Sequence, residues 1–178
     1  MLALDSFWRD ANFVPITGHG LVATKTITFT GDDATVATPI FNITGAIELL
    51  KIWGVVKVAF GASHTDAHLR INDQSNTDQV LSKTTTLDLG SISIGASIIK
   101  NGLAAAVLKY VTSDVGSLLE PAVADEKSFS PAIIQQITAG VQTDIEYVYT
   151  TAGAETTGSM QFFAGWLPLS ENGRLQAS

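Results

Sequence analysis

Cysteine is absent from the 178 residues, which removes disulfides, thiolate-held zinc, iron–sulfur clusters and thiol nucleophiles together. Charge is scarce as well. Asp, Glu, Lys and Arg make up 15% of the chain, against about 25% in an ordinary soluble domain. Ten basic residues stand against seventeen acidic ones, a formal charge of −7, and the basic ones are scattered singly. A polyanionic partner needs clustered Lys and Arg, so the sequence predicts neither a nucleic-acid partner nor an anionic membrane surface. No apolar run approaches the ~18 residues of a membrane span. Asp5, Arg9 and Asp10 interrupt the stretch where a signal peptide places its apolar core, so the product is expected to stay in the compartment where it is made.

Thr, Ser, Gly, Asn and Gln fill the space that charge leaves, beside an ordinary apolar fraction of 46%. Thr packs well on a pleated surface, and Gly and Asn supply turns. A sparsely charged surface suits a protomer covered by its neighbours, because interface cores exclude charge.

The period along the chain is two. Thr24, Thr26, Thr28 and Thr30 alternate with Ile27 and Phe29 before a GDD turn. Residues 46–60, AIELLKIWGVVKVAF, read as a strand with Leu50, Ile52, Val56, Val58 and Phe60 on one face. Lys51, Trp53, Val55 and Lys57 take the other, with a bend at Gly54. Leu69 and Ile71 alternate with His68 and Arg70. The stretch 84–100 reads as short strands broken by Gly90 and Gly95, Asn101-Gly102 as a hairpin turn, and 132–138 as a strand. Near the C-terminus, Val141, Thr143, Ile145, Tyr147 and Tyr149 share one face, as do Met160, Phe162, Ala164 and Trp166. Residues 113–126 are the one short-helix candidate. The sum is an all-β antiparallel sandwich or jelly roll of about eight to ten strands. The expected organisation is an arm over 1–23, a β-sandwich over 24–169 and a polar tail over 170–178.

Chemistry-bearing patterns are few. TGHGLVA (17–23) spells a dinucleotide fingerprint but leads into a Thr-rich strand rather than a helix, so it reads as a loop. His64, Asp66 and His68 are the metal candidate, since positions i, i+2 and i+4 of a strand share a face. Short groupings of this kind arise readily by chance, so no metal or other cofactor is predicted. Asp73, Asn76 and Asp78 offer oxygens without the order of an EF-hand loop, and a polar turn is the expectation. No G-x-S-x-G elbow occurs, and Asp144 with Glu146 reads as pointing to opposite faces, which sets that pair aside for glycoside chemistry. No enzyme is predicted. Tyr147, Tyr149, Phe163 and Trp166 are weighed as a sugar platform and assigned to the core. Phe7, Trp8 and Phe13, in an unpatterned segment, are the expected subunit-interface residues, because aromatics are costly to leave in water.

The segments TDIEYVYTTAGAETTGSMQFFAGWLPLSENG (143–173) and ITGAIELLKIWGVVKV (43–58) resemble strands of small tailed-bacteriophage virion proteins. The resemblance implies a capsid decoration, cement or head-fibre-like accessory subunit without catalytic residues. Its expected partners are identical copies, in a trimer or other ring, together with major capsid or other virion proteins, and its expected place is the virion. A carbohydrate- or receptor-binding β-sandwich module is the alternative function.

Overall fold

The computed structural model describes residues 20–74, 78–85, 88–100, 108–110, 132–136 and 140–178. They form eleven strands: β1 (Leu21–Thr28), β2 (Thr35–Thr44), β3 (Ala46–Val58), β4 (Ser63–Asp73), β5 (Gln79–Val80), β6 (Ser97–Lys100), β7 (Leu108–Tyr110), β8 (Ala132–Gln135), β9 (Thr143–Ala152), β10 (Ser159–Pro168) and β11 (Arg174–Ala177). No helix occurs among the described residues, and the segment 113–126 lies outside them.

Every pairing is antiparallel. The first sheet runs β1-β10-β3-β6-β7, with β8 on the same edge of β3 as β6, and the second runs β11-β2-β9-β4-β5. Setting aside β6, β7 and β11, eight strands remain that pair first with last: β1 with β10, β2 with β9, β3 with β8 and β4 with β5. That is one long hairpin rolled into two layers, the jelly-roll arrangement.

Alternation places the core. Ile27 and Phe29 of the Thr-rich segment turn inward while Thr24, Thr26 and Thr28 are exposed. Met160, Phe162, Ala164 and Trp166 share the inner face of β10, and Ile145, Tyr147 and Tyr149 that of β9. Between the layers Phe29, Tyr147, Tyr149 and Phe162 meet in tilted and edge-on contacts at 5.1–5.8 Å.

Several expectations are corrected. In β3 the inner residues are Ile47 and Leu49, then Ile52, Gly54 and Val56. The phase changes at Leu50, where Leu49 pairs with Trp166 and Lys51 with Gly165, so the irregularity sits at Leu50 and not at Gly54. A second shift past Lys57 leaves Val58 exposed, contrary to the inner place read for it. Among the described residues of 84–100 only Ser97–Lys100 is a strand. Residues 88–96 are turns whose Leu89, Ile92 and Ala96 are buried in the core. The segment read as a polar tail contains β11, which pairs with β2 and buries Leu175 in the core, and the first sheet begins at Leu21, inside the segment read as an arm. The Asn101-Gly102 turn lies outside the described residues, though β6 and β7 on either side of it do pair.

Candidate functional site

The structure separates the metal candidate His64–Asp66–His68. Thr65 pairs with Thr150 but His68 with Val148, so two residues of β4 oppose one of β9. Asp66 takes up the extra length with φ at +55°, the left-handed region that Asp tolerates better than most residues. The bulge inverts the alternation. His64 points inward and is fully buried, Asp66 is exposed, and His68 lies outside with Nδ1 2.8 Å from the Asp66 carbonyl oxygen. Among the described residues no three His, Asp or Glu side chains are grouped to hold a metal ion.

His64 belongs to a buried staple instead. Its ring is stacked between Phe60 (4.4 Å, 5°) and Tyr149 (4.6 Å, 4°), with Phe29 edge-on at 4.9 Å. Nε2 donates to Glu155 Oε2 at 2.8 Å, which leaves Nδ1 as a buried acceptor without a partner. The Glu155 carboxylate also accepts from the backbone N–H groups of Gly61, Ala62, Thr157 and Gly158 at 2.9–3.1 Å. Burial pushes that carboxyl up, but the backbone donors together outweigh it and hold it down to about 2. For His64, burial outweighs the attraction of Glu155 and pulls the imidazole below its ordinary 6.5, so the ring is neutral at pH 7. The pair ties the β3–β4 turn to the β9–β10 loop, and Asp88 adds the 88–90 turn by accepting from the N–H of His64 and Gly90.

The two outward faces of the sandwich differ in chemistry. On the second sheet Asp144 and Glu146 both face outward, which corrects their assignment to opposite sides: residues two apart on a strand share a face. Asn42 and Gln142 donate to Asp144, while Arg70 and Asn72 donate to Glu146. Burial raises the Asp144 carboxyl against those bonds, and the neighbouring Glu146 charge adds to the rise. This face is polar, and Arg70 also binds Asp78.

On the first sheet three cross-strand rows make up the middle of the outer face. They read Val22–Gly165–Lys51, Thr24–Phe163–Trp53–Ile99 and Thr26–Gln161–Val55–Ser97. They hold one lysine and no carboxylate. Trp53 and Phe163 stack on each other at 5.1 Å and 8°, and Lys51 Nζ lies 5.2 Å from the centre of the Trp53 ring. Of the four aromatics weighed as a platform, Tyr147, Tyr149 and Trp166 are core, and Phe163 alone stands on the outer face. Its partner Trp53 was legible as outward from its alternation with Ile52. That the two residues meet required the β3–β10 register, which no local signal carries. Glu155, in a polar loop, gave no sign of its role.

Phe7, Trp8 and Phe13 lie outside the described residues. The oxygens of the 73–78 turn diverge, since Asp73 is buried on the inner face and Asp78 pairs with Arg70, while Asn76 lies outside the described residues. The chain matches no protein-family model, no curated protein and no solved structure.

Proposed function

We propose that this chain is a non-enzymatic structural subunit that associates with identical copies, as a decoration or accessory head protein of a tailed-phage particle. One observation carries the self-association: the neutral outer face of the first sheet, with Trp53 and Phe163 at its centre and no described element lying over it. The occupant of that face is a second copy. A chain of net charge −7 repels itself, so contact between copies favours a surface without carboxylates, and these rows meet that condition while the second sheet does not. The titratable groups His64, Glu155 and Asp88 are engaged in holding turns together, in keeping with a scaffold rather than a catalyst. Jelly rolls build viral capsid domains, which supports the virion assignment by analogy, alongside the resemblance of 43–58 and 143–173.

Jelly rolls also build lectins, and the alternative function is a sugar-binding module. The Trp53–Phe163 geometry favours assembly, because each ring already spends one face on the other. Light scattering tests the proposal. The native chain is expected to have a multimeric mass and Phe163→Glu to be a monomer with an unchanged circular-dichroism spectrum. A monomeric native chain that gives signal on a glycan array would replace this reading with the lectin one.

A further inference from the structure

A cavity of about 210 Å³ opens at one side of the sandwich, between the edge strand β8 and the inner face of β4, β5 and β9. Its floor is the end of two neighbouring strands, where Asp73 pairs in register with Thr143 and Ile71 with Ile145. In a rolled sandwich those inward positions normally carry apolar side chains, as Leu69 and Ile145 do. Here the floor holds a carboxylate that is 7% exposed and a hydroxyl residue that is 2% exposed. Thr143 Oγ1 has no hydrogen-bond partner, and a buried polar atom left unsatisfied costs roughly 1–3 kcal/mol. Ile71 and Ile134 form the apolar walls, and the carboxamides of Gln79 and Gln135 stand nearer solvent. The lining includes no basic side chain.

We propose that this cavity binds a primary ammonium group on a short aliphatic stem. The head donates to the Asp73 carboxylate and to Thr143 Oγ1, both of which act as acceptors there, and a charge-assisted bond of this kind is about twice as strong as a neutral one. The stem lies along Ile71 and Ile134, as lysine stems cover apolar surface. The volume is below the ~300–1,000 Å³ of a pocket for drug-sized ligands, so the occupant is a small amine or one lysine side chain of a partner protein. The site is on a different sheet edge from the Trp53–Phe163 face, and the inference does not depend on the proposed function.

The test is a titration of the full chain at pH 7, followed by the methyl resonances of Ile71 and Ile134. Butylamine is expected to shift both with a millimolar Kd, and butanol, which has the same stem without the charge, to bind at least tenfold more weakly. Asp73→Asn is expected to weaken butylamine binding at least tenfold. Thr143→Val deletes only the hydroxyl; it is expected to raise the melting temperature, by removing an unsatisfied group, and to weaken butylamine binding about threefold or more. It keeps the question answerable if Asp73→Asn does not fold. α-N-Acetyl-lysine methylamide separates the two sources: binding equal to butylamine assigns the site to a protein side chain, and loss of binding assigns it to a free amine. Equal binding of butanol and butylamine, unchanged butylamine binding in Thr143→Val, or the same methyl shifts with calcium chloride alone would overturn the proposal.

Discussion

His64 brings two nitrogens into the core and finds a partner for one, and Glu155 is the group that makes this tolerable. The carboxylate accepts four backbone N–H bonds besides the imidazole bond, so the amide group of Glu155→Gln would turn N–H donors toward N–H donors. That substitution is expected to cost about 2–3 kcal/mol in urea unfolding at pH 7. The two groups also set the acid limb of stability, in different windows. The folded pKa of His64 lies below the 6.5 of the unfolded chain, so on acidification the unfolded chain takes up the proton first and stability falls from about pH 6.5 downward. Glu155, at about 2 in the folded chain against 4.5 unfolded, contributes stability that is present above about 4.5 and lost as the pH falls toward 2. Asp144 has the opposite sign, since its raised carboxyl takes up a proton in the folded chain first. Melting temperatures from pH 8 to pH 3 are therefore expected to decline in two stages. His64→Phe, which keeps the aromatic stack, abolishes only the upper one. A His64→Phe profile that still bends near pH 6.5 would remove the imidazole from this account.

At the scale of the strand, alternation made the inner faces of β9 and β10 readable, because both run through the core without interruption where their aromatics lie. The same rule failed on β3 and β4 for one physical reason. A bulge inserts a residue and reverses the inside–outside order after it, and neither Leu50 nor Asp66 differs in composition from an ordinary strand residue. His64 and His68 were thus separated by something that only the pairing with β9 imposes. Gly54, read as a bend, is a packing position instead: a Cβ there would meet the Met160 and Phe162 side chains. At Gly90 a Cβ would meet backbone, with Ala62 O at 2.5 Å and Ser63 Cα at 2.8 Å. Flexible Met160 yields more readily than a strand backbone. Gly54→Ala is accordingly expected to cost about 1 kcal/mol and Gly90→Ala about 3 kcal/mol in urea unfolding. The reverse order would show that the 88–96 turns are not packed as described.

At the scale of the molecule the two faces divide the labour. The second sheet carries the buried carboxylates with their amide and guanidinium partners, and the first carries the neutral aromatic surface. Low charge was visible in composition, but composition does not say which sheet lacks carboxylates; that depends on which residues the jelly roll turns outward. The arm adds a second contact, and deleting residues 1–14 is expected to lower the assembled mass while leaving the circular-dichroism spectrum of the sandwich unchanged. An unchanged mass would take Phe7, Trp8 and Phe13 out of the interface. Hydroxyl-radical footprinting across a concentration series is the most direct measurement of whether one copy covers another. From nanomolar to tens of micromolar protein, modification of Trp53 and Phe163 is expected to fall several-fold while the exposed Val80 and Ile94 stay constant. Equal modification of Trp53 and Phe163 at every concentration would contradict the account.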